Sequence, residues 1–320
     1  MGSRTSDVAK GFHSGVSDHD RLLSDLRPAS FAIAYRMLGS VSEAEDVVQE
    51  ALLRVHQALE AGEEISSPRA FVTTVTTRLA INELRSARSR RERYVGEWLP
   101  EPIITKGDDD PARHAETADS LSLALLVLLE SLSPEQRAVL LLRDVFGYAY
   151  PEIAPIVGKT EDNVRQLATR ARRHVEERRP RFETTRRQHA ELARVFLVAA
   201  EQGDVGGLEA LLAHDVELTA DGGGKAPALN RPLRGRSRVA HAVAGWTRRA
   251  MGVPGVSTRV AEVNGGPGAV LLDAQQRLLG VLAVEFAGGR ITSVMVVVNP
   301  EKLKHLGPVA DLGSLLRSPA

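Results

Sequence analysis

The sequence predicts a multidomain protein: two all-α domains, the second built on a helix-turn-helix, followed by an α+β domain. Three observations carry this prediction. Apolar residues recur at three- and four-residue spacing from Asp20 to about Leu59 and, after a break beginning near Tyr94, resume from Ser120. Ala154, Gly158 and Val164 stand at the small, turn and apolar positions of a helical hairpin. After Gln188 two helices give way to period-two strands with Gly-Gly pairs between them. At 320 residues the chain is also too long for one ordinary domain.

The first unit is expected over 18–94. Leu22, Leu26, Ile33, Met37 and Leu38 mark one helix face, and Val47, Val48, Ala51, Leu52 and Val55 the next. Ser42, ahead of Glu43, Glu45 and Asp46, is the expected N-cap, with acids in the first turn. Ser67-Pro68 supplies the cap and first position of a third helix that runs to about Arg91 without internal glycine or proline. Residues 95–119 read as a linker: Trp98-Leu99-Pro100-Glu101-Pro102 cannot be helical throughout, and Lys106 to Pro111 is strongly polar.

The second unit spans 120–184. A helix is expected from Ser120 to Leu132. Ser133-Pro134-Glu135-Gln136 then caps another from Arg137 to Phe146, and two short helices reach about Glu183. The third unit, 188–307, opens with helices from Gln188 to Glu201 and Val205 to Ala213. Strands follow at Val216 to Thr219, Val256 to Val263, Ala269 to Leu272, Leu278 to Phe286 and Ile291 to Val298. Turns are expected at Gly265-Gly266 and Gly288-Gly289, with 308–320 as a tail.

In the helix-turn-helix, Gly158 supplies a positive-φ turn, Ala154 permits close helix approach and Thr160 caps the second helix. From that helix Asn163, Arg165, Gln166, Arg170 and Arg173 project groups able to bond base edges and phosphates. Helical hairpins without a nucleic-acid role share the same triplet. Pro155, which lacks a backbone donor, is expected near the start of the first helix.

Net charge is zero, yet Arg78, Arg85, Arg88, Arg90, Arg91 and Arg93 form one cluster. Arg165, Arg170, Arg172, Arg173, Arg178, Arg179 and Arg181 form another, with Asp108, Asp109 and Asp110 between the two. They read as two nucleic-acid contacts held apart, or as solvated helix faces. Without cysteine there is no disulfide or thiolate metal site, and no metal or cofactor is expected. No apolar run approaches the roughly 18 residues of a membrane span, and the polar N-terminus carries no secretion pattern, so a cytoplasmic location is expected.

Ser133-Pro134-Glu135-Gln136-Arg137 followed by the helix-turn-helix resembles region 4 of extracytoplasmic-function sigma factors. The run from Ala44-Glu45-Asp46-Val47 to Val55 resembles region 2.2 of the same family. The resemblance implies core RNA polymerase as a partner, through the clamp helices of its largest subunit and the flap, with promoter DNA as the other. It places Glu45, Asp46, Gln49, Glu50 and Leu53 on the polymerase. Ser67 to Arg93 resembles regions 2.3 and 2.4, which implies that Asn82, Arg85, Arg88, Arg90 and Arg91 hold the minus-ten element as single strand. Thr74 and Val75 stand near where many relatives carry an aromatic residue, so base stacking is expected to be weak. Region 4 carries Thr160, Asn163, Arg165, Gln166, Arg170, Arg172 and Arg173 onto the minus-thirty-five element, with Leu167 where many relatives have arginine.

Three further motifs resemble the subgroup with a fused SnoaL-like extension, a cone of helices on a curved sheet. They are Trp98-Leu99-Pro100-Glu101-Pro102, Asp221-Gly222-Gly223-Gly224-Lys225 and Asn299-Pro300-Glu301-Lys302-Leu303, the last with Glu301 where aspartate is usual. Trp98, Leu99 and Pro100 are expected to meet the two terminal motifs, so that the extension sets the spacing of the DNA-binding domains.

The expected function is therefore that of an alternative sigma factor modulated by its own terminal domain. The alternative is a one-component, ligand-responsive transcription regulator, against which the acidic helix at Asp46 and the basic helix at Arg85 argue. A small ligand of the cone stays open as a partner. For catalysis the acid–base candidates are His214, Asp215 and Asp221, but His214 is expected to end a helix and Asp221 to serve contacts from a glycine-rich turn. No enzymatic activity is expected.

Overall fold

In the computed structural model, residues 18–91, 93–105, 122–177 and 186–317 are described, with 18, 87–91, 186, 187 and 317 as backbone only. Three helices form the front bundle: α1 (Asp18–Leu38), α2 (Val41–Glu60) and α3 (Pro68–Arg91). Their apolar faces close on Leu26, Ala51, Val55 and Val72 at one end and on Ile33, Leu38, Val48 and Ala80 at the other. The N-cap of α2 is Ser40, not Ser42: the Ser40 hydroxyl accepts from Glu43 N at 3.2 Å. Gly39, at φ +67, turns the chain sharply after α1 and leaves Ser40 extended, so the cap falls two residues early.

The helix-turn-helix unit comprises α4 (Leu123–Leu129), α5 (Pro134–Leu140), α6 (Tyr150–Val157) and α7 (Glu161–Glu176). Ser122 caps α4. Ser133 and Gln136 form a reciprocal capping box with Pro134 at the first position of α5, and one wide turn, Leu141–Val145, continues that helix. Gly158 is left-handed at φ +66, and Thr160 accepts from Asn163 N at 3.4 Å to start α7. Pro155 lies near the end of the eight-residue α6, not near its start, and interrupts the last turn, where few helical bonds remain to be lost. Ser120 and the Lys106 to Pro111 stretch lie outside the described residues.

The terminal unit packs α8 (Arg186–Gln202), α9 (Val205–Leu211) and α10 (Arg236–Met251) against a seven-stranded sheet in the order β1-β4-β5-β6-β7-β2-β3. The strands are β1 (Ile104–Thr105), β2 (Leu212–Asp221), β3 (Leu233–Arg234), β4 (Ser257–Val263), β5 (Gly266–Leu272), β6 (Leu278–Ala287) and β7 (Arg290–Val297). All neighbours are antiparallel except β2 and β7. Phe196, Leu208, Val239 and Val243 of the helices meet Leu218, Ala269 and Val294 of the sheet, which is the α+β cone expected.

Several expectations change here. The α9 helix stops at Leu211, and Leu212 already begins β2, so His214 is an exposed strand residue at an irregularity and not a helix terminus. The first hairpin turns on Asn264-Gly265 (φ +52 and +74), with Gly266 already paired to Val263, whereas Gly288-Gly289 (φ +57 and +70) turns as expected. Helix α10, absent from the sequence prediction, buries a face of Val239, Ala240, Val243 and Ala244, small side chains that make a shallow periodic signal. Residues 308–317 are no loose tail. Leu278 N donates to Pro308 O and Ala310 N to Leu278 O, both at 2.8 Å, and α11 (Leu312–Arg317) packs beyond them.

A candidate promoter-binding surface and its linker clamp

On α2 the polymerase-facing candidates share one side. Asp46, Gln49 and Leu53 are exposed, with Leu53 47% accessible, and Glu45 and Glu50 are half-buried. Glu45 pairs with Arg27, and Glu50 with Arg54 at 2.8 Å. Spacing of three and four residues on a 3.6-residue helix makes this a single acidic stripe with an apolar centre.

The minus-ten candidates lie on α3, and α3 lies against the helix-turn-helix. Asn82 is exposed. Arg85 reaches Glu135 of α5 at 2.5 Å. Partial burial would raise the Glu135 carboxyl, but the Arg85 guanidinium and a backbone donor outweigh it and hold it below its ordinary value. Arg78 caps the end of α6, donating to Pro155 O at 2.7 Å and Ile156 O at 3.0 Å, and Thr73 meets the Tyr148 hydroxyl at 2.9 Å. Arg88, Arg90 and Arg91 continue α3, their side chains outside the described residues.

On α7, Asn163, Arg165, Gln166, Arg170 and Arg173 face solvent, while Thr160 serves as the cap. Arg165 lies 4.8 Å from the Tyr150 ring centre and pairs with Glu161, and Arg173 pairs with Glu177 at 2.9 Å. Arg172 is different: both Asp144 carboxylate oxygens accept from one edge of its guanidinium and raise its pKa further, and the Tyr150 hydroxyl adds a contact at 3.4 Å. Its fork braces α7 on the wide turn that continues α5, which leaves less of it for phosphate.

The linker motif and the two terminal motifs converge on Asp221, the last residue of β2, which is fully buried and not part of an open turn. Its carboxylate accepts from the Tyr94 hydroxyl at 2.5 Å, Leu99 N at 2.8 Å and Lys302 Nζ at 2.6 Å. Lys302 also donates to Leu99 O, and its ammonium sits 4.2 Å from the Trp98 ring centre and 4.8 Å from that of Tyr94. Asn299 Nδ2 donates to the Tyr94 hydroxyl at 2.8 Å. Gly223 is required here: a Cβ would lie 2.2 Å from Asn299 Nδ2 and 2.9 Å from the Tyr94 hydroxyl. A Gly222 Cβ would meet Ala226 O at 2.3 Å, and one on Gly224 would press on Val95. Pro300 opens a single helical turn, Lys225 pairs with Glu301, and Leu303 is buried beside Leu99.

The same linker grips the front bundle. Glu101 accepts from Val41 N at 2.7 Å, Ser42 N at 3.2 Å and Ser40 Oγ at 2.9 Å, so its carboxylate sits at the positive end of α2. Pro100 packs against Gly39, and Glu101 O accepts from the Tyr35 hydroxyl at 2.7 Å. Tyr35 in turn accepts from Asn264 Nδ2 at 2.7 Å, a direct tie between the front bundle and the cone. Burial, first of all, keeps the hydroxyls of Tyr35 and Tyr94 well above the ordinary tyrosine range. Tyr35, Tyr94, Glu101 and Asn264 are the contacts the sequence did not single out. Glu101 had a visible signal, a carboxylate between two prolines inside a motif; Tyr35 and Asn264 had none.

A helical front, a helix-turn-helix and an arginine helix beside it define a class that the comparisons with known proteins make explicit. Residues 22–90 match the family Sigma-70 region 2 and residues 122–175 match Sigma-70, region 4. The chain is 36% identical over 287 residues to the ECF RNA polymerase sigma factor SigJ of Mycobacterium tuberculosis, covering 87% of this chain and 90% of that protein. It is 33% identical over 288 residues to the "Probable ECF RNA polymerase sigma factor SigI" of the same species, covering 88% and 92%. The crystal structure of the extracytoplasmic function sigma factor SigJ of that species superimposes with a TM-score of 0.71 at 33% identity, over 89% of this chain and 98% of that one. The chain belongs to the ECF RNA polymerase sigma factors and carries a further α+β domain after region 4. Among the described residues no helix is long and apolar enough to cross a membrane.

Proposed function

We propose that this protein directs core RNA polymerase to specific promoters and that its terminal domain modulates the step by holding the interdomain linker. The observation that carries the modulation is the Asp221–Lys302 pair closed around the Leu99 backbone, with Glu101, two residues on, capping α2. The linker is thereby tied at one point to the cone and at the next to the helix with the polymerase-facing stripe. In this form Arg78 and Arg85 of α3 are spent on α6 and α5, while the outer face of α7 is open. Promoter engagement by both domains at once then needs α3 to part from α5 and α6, and the linker clamp sets how far they can go.

In this reading α2 meets the clamp helices and the flap takes another part of the factor. Asn82, Arg85, Arg88, Arg90 and Arg91 take the minus-ten strand; Asn163, Arg165, Gln166, Arg170 and Arg173 take the minus-thirty-five duplex. No catalytic step is assigned to the terminal domain, because Asp221, the buried acid of its three candidates, is spent on Tyr94, Leu99 and Lys302. The test is in vitro transcription with core polymerase on a randomised promoter library. A two-element consensus enriched by the full chain supports the reading; no enrichment over core polymerase alone overturns it.

A further inference from the structure

The terminal domain holds a cavity of about 290 Å3, open at its rim, that the clamp does not use. Its walls are Phe196 and Ala200 of α8, Val243 and Trp246 of α10, and Leu282 and Val294 of the sheet. Leu312 and Leu316 of α11 close one side from successive turns of the helix. Charge is confined to the rim, where Glu201 and Arg249 are exposed, and Thr247 and Thr258 supply hydroxyls. An apolar cavity of about 150 Å3 stays dry and takes up benzene, so one of this size and lining has room for two rings.

The position of the cavity matters as much as its lining. Ala220 and Val298 form part of its wall, and they are the immediate neighbours of Asp221 and Asn299. Successive side chains of a strand point to opposite faces. Ala220 therefore faces the cone interior while Asp221 faces the linker, and Val298 N bonds to Asp221 O at 2.9 Å. The cavity and the clamp are two sides of the same strand ends.

We infer that the cone is a binding site for an uncharged, two-ring apolar molecule, aromatic or alicyclic, with any polar end at the Glu201–Arg249 rim. Occupancy is coupled to the linker clamp through Ala220–Asp221 and Val298–Asn299. Such coupling is reciprocal: whatever loosens the clamp changes affinity for the molecule by the same factor by which the molecule changes the clamp.

The experiment titrates the full chain with the uncharged dye 6-propionyl-2-(dimethylamino)naphthalene, whose emission shifts to the blue in apolar surroundings. The expected result is one saturable site per chain. Ala200→Phe, which fills the cavity from α8, weakens binding at least tenfold, and Thr247→Phe does the same from α10 should the first variant fold poorly. Val260→Phe, at an exposed apolar position on β4, leaves it unchanged. Equal dye binding by the folded cavity-filled variants, or no binding by the native chain, overturns the site. Lys302→Met is expected to shift dye affinity at least fivefold, and an unchanged affinity overturns the coupling. The titration contains neither polymerase nor DNA, so its failure is separate from a failure of the promoter-directing reading.

Discussion

Asp221 and Lys302 show how much one residue pair can decide. Their side chains are 0% and 8% accessible, so neither charge is balanced by water. Removing one partner from a buried pair costs about 3–5 kcal/mol, because it strands the other charge, whereas replacing both together can be nearly neutral. Lys302→Met is therefore expected to lower unfolding stability by about that amount in urea titrations, and Asp221→Leu combined with Lys302→Met by clearly less than the sum of the single changes. An additive double variant would remove the pair from the account.

The buried tyrosines give a pH signature at the same scale. Tyr35 is 1% accessible and its hydroxyl is held above its ordinary value by burial. A folded-state value above the unfolded one means that stability is complete below pH about 10 and falls as pH rises further, by up to about 1.4 kcal/mol per pH unit per tyrosine. Denaturant midpoints at pH 9 and pH 11 measure it, and Tyr35→Phe should flatten the decline. Of these residues, Asp221 and Lys302 were visible as members of motifs, but their pairing was not. They are 81 positions apart, and nothing local to either names the other.

Elements built on local signals were the most readable. The reciprocal Ser133–Gln136 cap and the left-handed Gly158 are both properties of a few consecutive residues. Ser133→Ala is expected to cost about 1 kcal/mol through loss of the cap. Gly158→Ala should cost about 1–2 kcal/mol, since alanine must adopt a left-handed backbone. Thermal unfolding reads the stability, and a mobility-shift assay on promoter duplex reads the accompanying loss of minus-thirty-five binding by Gly158→Ala. Elements whose limits depend on distant partners were read less well. Ser40 caps α2 in company with Glu101, 61 residues away. Strand β1 exists only because β4 offers Val263 and Glu262 as pairing partners for Ile104 and Thr105. Two residues carry no periodicity that a sequence could display.

At the scale of the whole molecule, the front bundle and the helix-turn-helix share one apolar core in which Ile33, Leu38 and Leu84 meet Leu126, Leu141 and Ala171. Arg137 sits at the join, 2% accessible, donating to Met37 O at 2.5 Å and to Glu130 at 2.8 Å. Burial lowers its pKa to about 9, so it stays charged at neutral pH. Deleting everything after Arg187 removes the cone and leaves the linker untethered on that side, and is expected to change promoter-dependent transcription by core polymerase. Trimming from Asn299 removes Lys302 and Leu303 but keeps all seven strands, leaving Asp221 buried without its cation. The two truncations should therefore differ in activity. Transcription unchanged in both would sink regulation by the terminal domain.

The three-part order, the caps and turns of the helix-turn-helix, the arginine-rich α3 and the motifs that later meet were legible in the order of residues, because each is written in spacing within a few helical turns or one strand. The strand that the linker adds to the terminal sheet, the Glu101 cap on α2, the Tyr35–Asn264 contact and the lean of α3 on α6 emerge only when the chain is folded. Those contacts join residues tens to hundreds of positions apart. Their geometry comes from packing three units together, which no local pattern encodes.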